Sequence, residues 1–431
     1  MIGLVMFAAA LALLLLGFPV AFTFGGVAVI FGLFAEGTSI FAMMPHRIWA
    51  IMNNTILMAI PLFIFMGIVL QKSKLAERLL ESMGFLFGEI RGGIAISTVL
   101  VGALLAASTG VVGASVVAMG VISLPVMLKY NYDKKLATGA ICAAGTLGQI
   151  IPPSIILIIL GDVFQEPVGD LFKAAFWPGL TLVVFYVVYI TILTWLKKDL
   201  APPIKIEGAR GSKRQQILHA LMAIIPPLIL IILVLGSILT GVATPTESSA
   251  VGGVGAIVLA AMYKQLNVKM LWDSSLETVK ITAMVFAILI GATAFSMVFT
   301  YTGGDWLVED FMLGLPGEKW GFLILSMVAI MVLGFFIDFV EISYIIVPIL
   351  APIAATLGID PIWYAILVAM NLQTSFLTPP FGFSLFYLKG VAPEGVKTTD
   401  IYYGVIPFII LQVIVLGILV VWPQIFGFPP N

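Results

Sequence analysis

Thiol and imidazole chemistry is nearly missing from this chain: 431 residues hold one cysteine, Cys142, and two histidines, His46 and His219. A lone cysteine excludes an internal disulfide framework and a Cys-based zinc or iron–sulfur site, and it reads as a small buried residue. The histidines lie near segment ends without a neighbouring metal-ligand partner, which makes them interfacial residues. No GxxxxGK[ST] loop occurs, so the chain does not hydrolyse ATP itself, and no HExxH occurs. Charge is scarce too. Only 10% of residues are ionised, they cancel to −1, and the longest polar stretch runs merely from Lys197 to Gln216. No soluble domain with its own core fits into that length.

What is abundant is apolar chain. The composition is 61% hydrophobic and the mean hydropathy is +1.16, beyond any soluble globular fold, so the chain is an all-α polytopic membrane protein. Met1–Leu16 lacks a basic leader region and reads as an uncleaved first helix. Apolar segments fall at about 2–16, 20–35, 50–71, 93–128, 136–160 and 174–196, then at about 217–238, 246–263, 277–300, 320–353, 362–388 and 402–424.

The two series correspond. Pro125, Asp133 and Pro152-Pro153 recur as Pro352, Asp360 and Pro379-Pro380 at one offset of 227, and Pro19 with Gly25-Gly26 matches Pro245 with Gly252-Gly253 to within one residue. The join, 197–216, holds six basic and two acidic residues together with Pro202-Pro203, Gly208 and Gly211, a solvated linker. By the positive-inside rule it is cytoplasmic, as are Lys72, Lys74, Arg78, Arg91, Lys129, Lys134 and Lys135. Asp162, Glu166 and Asp170, opposed by Lys173 alone, mark the periplasmic side. In the second half the signs exchange: Asp305, Glu309, Asp310 and Glu318 precede the equivalent run, and the loop at Asp360 has no basic residue. Two inverted-topology repeats are therefore expected, a signature of secondary transporters.

The runs 93–128 and 320–353 break in the middle, at 107–115 and 334–343, and carry one side's charges at both ends. An arm of about 15 residues rises only about 22 Å, short of the roughly 30 Å hydrocarbon core. Each run is expected to be a re-entrant helical hairpin with its tip near the midplane. Pro152-Pro153 and Pro379-Pro380 break the following helices and free the carbonyls before them.

Freed carbonyls and hydroxyls suit a hard monovalent cation, and half-helix amino termini suit an anion. One Na⁺ cluster is placed at Ser108, Thr109 and Gly110 with Gly145, Gly148 and Ile151; its mate uses Gly334, Phe336 and Asp338 with Asn371, Thr374 and Leu377. The substrate is expected against Ser108, Thr109, Gln149, Pro152, Asp338, Asn371, Ser375 and Pro379. A Gly/Ser packing surface with Pro kinks is the structural alternative. Asp338 and Glu341, one turn apart in an apolar run, are functional candidates or helix caps. Glu247 ends a capping box, Thr244-Pro245-Thr246-Glu247, and starts a helix. Asn53, Asn54 and Thr55 cap the next run or touch substrate.

The stretches Ala59-Ile60-Pro61-Leu62-Phe63, Ala243-Thr244-Pro245-Thr246-Glu247, Gly358-Ile359-Asp360-Pro361 and Thr378-Pro379-Pro380-Phe381-Gly382 resemble the large membrane subunit of TRAP (tripartite ATP-independent periplasmic) transporters, over essentially the whole chain. The resemblance implies an elevator-type carrier of the bacterial inner membrane with Na⁺ as coupling ion and no cofactor. A separate small four-helix membrane subunit and a periplasmic solute-binding protein would accompany it, with an organic acid as substrate, lipid around it and no nucleic acid. The scaffold would comprise 1–91 and 217–315, and the transport domain 92–196 and 320–425. Two departures stand out. Gln373-Thr374-Ser375-Phe376-Leu377 replaces an Ile-Gly pair before the second TPP motif, which resembles a branch for 2-oxo acids, hydroxy acids or polyols. Ser248 and Ser249 stand where alanines are usual. Alternatives to Na⁺ coupling are a proton-coupled carrier acting through Asp338, an intramembrane hydrolase using Asp338 and Glu341, and a passive channel.

Overall fold

The computed structural model describes residues 2–109, 112–203 and 213–429, with side chains except at 85, 106–109, 213–217, 219 and 220. Regular structure among the described residues is entirely helical. The first half runs α1 (Ile2–Leu15), α2 (Val20–Glu36), α3 (Met44–Met52), α4 (Ala59–Lys72), α5 (Leu75–Phe87), α6 (Gly93–Thr109), α7 (Val112–Lys129), α8 (Lys134–Thr146), α9 (Ile155–Phe164) and α10 (Val168–Leu196). The second runs α11 (Lys213–Leu239), α12 (Pro245–Met262), α13 (Val268–Tyr301), α14 (Gly304–Leu313), α15 (Lys319–Leu333), α16 (Phe339–Glu341), α17 (Val347–Thr356), α18 (Pro361–Leu377), α19 (Phe383–Val391) and α20 (Thr398–Val421). Seven helices among the described residues are long and apolar enough to cross a membrane. Large apolar side chains such as Val184, Val188, Ile192, Ile229 and Ile410 face outward from α10, α11 and α20, as lipid requires. The chain is a multi-pass membrane protein.

Packing pairs elements across the halves. α2 lies on α13 and α12 on α4; α8 lies on α20 and α10 on α18; α7 meets α19 and α9 meets α17. Contacts also collect loops at two ends of the molecule. At one end Gly92 N donates to Ala201 O (3.1 Å), Asp133 N to Leu200 O (2.7 Å), Ile94 N to the Tyr132 hydroxyl (3.4 Å) and Lys134 Nζ to Gly395 O (2.7 Å). The mouth of the α6–α7 pair, the end of α10 and the start of α20 therefore share one face. At the other end of α20, Trp363 Nε1 donates to Leu419 O (3.0 Å), and Lys319 Nζ stands 5.7 Å from the Trp363 ring. The mouth of the second pair is thus at the opposite face.

Several expectations needed revision. The 50–71 run is interrupted at 53–58, because Asn54 Oδ1 takes the N–H groups of Ile56 (2.9 Å) and Leu57 (3.4 Å) into a turn. The breaks in the hairpin runs are narrower than 107–115 and 334–343. Helix persists to Thr109 and resumes at Val112, and in the second half it resumes at Phe339, whose N–H is capped by Asp338 Oδ1 at 2.7 Å. Three of the four arms also exceed about 15 residues: α6 has 17, α7 has 18, and Phe339–Thr356 is an 18-residue helix with a π turn at Ile342–Ile346. At 1.5 Å per residue an 18-residue arm rises about 27 Å, so length alone sets apart α15, at 15 residues, and not its partner. The linker ends earlier than Gln216, since α11 begins at Lys213. Short helices α3, α5 and α14 escaped hydropathy because each is amphipathic rather than apolar.

Glu247 behaves as expected. Its carboxylate accepts from Thr244 N (2.8 Å), and its own N–H reaches Thr244 Oγ1 (3.2 Å), with Pro245 opening α12. Cys142 is buried. Thr246 Oγ1 donates to Thr55 O (2.7 Å), tying the two halves beside α4.

Candidate functional site

The two broken helices end alike. α8 passes through a 3₁₀ turn at Leu147–Gln149 into a cis Pro152-Pro153 bond before α9; α18 ends at Leu377, followed by cis Pro379-Pro380 before α19. A proline offers no N–H, so carbonyls one turn earlier lose their helical donors. Each turn supplies a substitute. Ser154 Oγ donates to Gln149 O (2.6 Å), and Ser384 Oγ donates to Phe376 O (2.8 Å). Both serines are buried, and both carbonyls sit at the same position of the 227-residue offset. Neither serine was singled out from sequence, although each follows its Pro-Pro pair closely. Gly382 packs so tightly that a Cβ there would lie 2.7 Å from Phe376 O.

Around the second break the structure brings together most of the residues expected there. Gly334, after α15, lies directly against Ser375 of α18: a Cβ on Gly334 would be 2.2 Å from Ser375 Oγ. Asn371 Nδ2 donates to Met327 O of α15 (2.6 Å), which leaves its Oδ1 for another partner. Thr374 Oγ1 and Ser375 Oγ donate back along α18 to Met370 O (2.8 Å) and Leu372 O (2.7 Å). Leu377 closes the helix, and Pro379 begins the turn whose Pro380 carbonyl accepts from the Tyr402 hydroxyl (2.9 Å). Phe336 is exposed, its ring 5.1 Å from that of Phe381. Asp338 is partly exposed at the turn, and Glu341, one turn further, is 4% exposed. The donors here are carboxylate, amide, hydroxyl and carbonyl oxygens, the set that fits a hard cation.

Around the first break the picture is partial. Gly145 receives Val116 of α7, whose Cγ2 would be 2.2 Å from an added Cβ, and Gly102 of α6 packs on Ala144. Both arms thus seat on α8. Gly148 and Gln149 form the 3₁₀ turn, and Ile151 N bonds to Leu147 O (2.9 Å) just before Pro152. Gln149 is 1% exposed with neither amide atom partnered, an orphan of the kind a ligand satisfies. Ser108 and Thr109 close α6, their side chains outside the described set, and Gly110 lies outside the described residues.

Sequence reasoning overlooked Tyr387. Its ring covers Gly113 at the start of α7, about 3.0 Å from where a Cβ would sit, and its hydroxyl lies within electrostatic reach of Asp338 and Glu341. One α19 side chain therefore packs directly on the first arm pair. No spacing signal marks it. Asn54, expected to cap the next run or touch substrate, takes the Ile56 and Leu57 N–H groups on its Oδ1 ahead of α4 and also donates Nδ2 to Asp162 Oδ1 of α9 (2.6 Å).

The profile of the tripartite ATP-independent periplasmic transporter DctM component matches residues 7–425. The C4-dicarboxylate TRAP transporter large permease protein DctM of Pseudomonas aeruginosa is 33% identical over 376 residues, covering 87% of this chain and 86% of the relative. The isethionate TRAP transporter permease protein DctMQ of Oleidesulfovibrio alaskensis is 30% identical over 417 residues, 96% of this chain but 64% of that longer protein. Among solved structures, the YdaH transporter of Alcanivorax borkumensis superposes with a TM-score of 0.61 over 92% of this chain and 90% of its own, at 14% identity, a likeness of fold alone. The family is one of transporter permeases and not of enzymes, which sets aside the hydrolase alternative for Asp338 and Glu341. Large permeases of this type work with a small membrane subunit and a periplasmic binding protein. With the match extending over nearly its full length, the chain belongs to the DctM family of TRAP transporter large permeases.

Proposed function

We propose that this chain imports a small organic acid across the bacterial inner membrane by Na⁺-coupled elevator motion, as the large permease beside a separate small subunit and a periplasmic binding protein. The observation that carries the proposal is the matched pair of breaks, each closed by a serine on the same carbonyl, each packed against a two-armed element whose mouth faces the opposite end of the molecule. Inverted repeats place such breaks near the midplane, where irregular backbone is tolerated if it binds ligands. Na⁺ is held in the second site by Asp338, Asn371, Thr374 and the carbonyls of Gly334, Phe336 and Leu377. The first site uses Gly145, Gly148 and Ile151 with Ser108, Thr109 and Gly110. The acid lies between them, against Gln149, Pro152, Ser375 and Pro379.

The scaffold, 1–91 and 217–315, is built on the α2–α13 and α4–α12 pairs, and the transport domain, 92–196 and 320–425, on α8–α20 and α10–α18. An acid is favoured because the named relatives take C4-dicarboxylate and isethionate. The residues before Thr378 favour a 2-oxo or hydroxy acid within that class. The test is uptake into proteoliposomes holding the chain with its small subunit and binding protein, using 2-oxo acids, hydroxy acids and C4-dicarboxylates. Saturable uptake that collapses with the Na⁺ gradient is expected. Non-saturating flux would indicate a channel, and uptake that follows pH while ignoring Na⁺ would move coupling to a proton at Asp338.

A further inference from the structure

Gln373, which opens the stretch departing from the family pattern, is fully buried on α18, and neither its Oε1 nor its Nε2 has a hydrogen-bond partner. It faces away from the second site. At about 100° per residue along a helix, its side chain leaves α18 about 160° from those of Asn371 and Ser375, which meet Met327 of α15 and Gly334. α18 also packs against α10 and α20, which carry Tyr186 and Gln412, both fully buried. Gln412 Nε2 donates to the Tyr186 hydroxyl at 2.7 Å, and Gln412 Oε1 is left open. Gln373 comes within reach of the same hydroxyl without completing a hydrogen bond to it. Polar atoms from three helices thus converge with hydrogen bonds unmade. Turning either amide exchanges donor for acceptor and leaves the same positions open.

An open amide in apolar surroundings is costly, and a small hydrogen-bonding occupant removes that cost. The surroundings define the occupant. α18 carries no Asp, Glu, Lys or Arg, α10 has only Asp170 and Lys173 near its start, and α20 has only Asp400. An ion here would be buried without a counter-charge. Donors, Gln373 Nε2 and the Tyr186 O–H, also stand beside acceptors, Gln373 Oε1 and Gln412 Oε1, a mixture that opposes a cation as much as it attracts one. Water donates and accepts, and a buried water ordinarily makes about three hydrogen bonds. We propose that Gln373, Gln412 and Tyr186 form a water-binding site inside the membrane body. At least one water molecule accepts from the Tyr186 hydroxyl and donates to Gln412 Oε1 and Gln373 Oε1, joining α10, α18 and α20. The bridge fixes the side of α18 that lies opposite Asn371 and Ser375. It does not depend on the transported solute or the coupling ion.

Hydroxyl-radical footprinting by brief X-ray irradiation, on the purified chain with its small subunit, reads bound water at side chains that bulk solvent does not reach. Tyr186 should be oxidised, while Phe295, equally buried among Phe7, Phe24 and Phe299, should not. Gln373→Met, which keeps the length and loses the amide, should reduce labelling of Tyr186 to the level of Phe295. An unlabelled Tyr186 in wild type overturns the proposal, because direct contacts among the three side chains would then suffice. Equal labelling of Phe295, the mark of general water penetration, overturns it too, as does labelling of Tyr186 that Gln373→Met leaves unchanged. Thermal unfolding gives a second reading, in its sign. A Gln373 amide with no occupant would be improved upon by an apolar replacement, so Gln373→Met would raise the melting temperature. With a shared water it should lower it by at least about 2 °C, and should cost less in a Gln412→Met background than in wild type. A rise, or an equal cost in both backgrounds, overturns the site. Should a methionine variant fail to fold, the wild-type labelling decides alone. Neither measurement involves uptake, so a failed water site leaves the carrier reading standing, and a failed carrier leaves the water site.

Discussion

Gly334 and Ser375 occupy space that admits no further atom, and this is where a single substitution should matter most. A Cβ at Gly334 would lie 2.2 Å from Ser375 Oγ and 2.7 Å from its Cβ. Serine is too short to swing clear, so Gly334→Ala should cost about 1–3 kcal/mol through overpacking and weaken Na⁺-dependent binding at least about tenfold. Thermal unfolding and Na⁺ titration of the purified protein would measure the two effects. Ser375→Gly should return most of the lost stability in the double variant, since the two residues are in contact and their effects should not add. Asn371, Thr374 and Asp338 stood out as candidates because polar side chains within apolar runs are rare. Tyr387 was not. An aromatic residue in a membrane helix is ordinarily a packing residue, and only the approach of α19 to α7 shows what it touches.

Among the elements, helix starts were the most readable feature, because capping chemistry is local. Thr244→Ala removes the Thr244 side-chain half of the capping box that opens α12 and should lower stability by about 1 kcal/mol, seen as a fall in melting temperature with transport little changed. Gly145→Val should act differently. It drives a side chain into Val116, parts α7 from α8, and should abolish transport, while adding Val116→Ala should recover part of it. Boundaries that depend on tertiary contacts were poorly legible. The turn at 53–58 within an apolar run is held by Asn54, whose amide reaches Asp162 from a segment 108 residues away. Asn54→Ala should therefore loosen α9 as well as the turn, and hydrogen exchange should rise at both. Amphipathic α5 and α14 were missed for a related reason: a window tuned to continuous hydropathy passes over helices that lie on an apolar surface with one face polar.

For the whole molecule, the helical membrane class was written in composition and in the apolar runs, because lipid forces every backbone group into helices. How far each arm descends was not. Helix length ranks α15 as too short to cross and leaves α7 close to the limit, so depth depends on where the mouths sit rather than on residue count. The mouths are gathered at opposite ends by contacts that sequence separation conceals, such as Asp133 N to Leu200 O and Trp363 Nε1 to Leu419 O. Replacing Cys142 leaves a background for single cysteines at Gly88, Asn131, Gly317 and Gly358, two at each mouth. These should be probed with a membrane-impermeant thiol reagent in right-side-out and inside-out vesicles. Gly88→Cys and Asn131→Cys should react only from the cytoplasmic side, and Gly317→Cys and Gly358→Cys only from the periplasmic side. If the two members of either pair reacted from opposite sides, that arm pair would cross the bilayer, and the paired midplane sites would be contradicted.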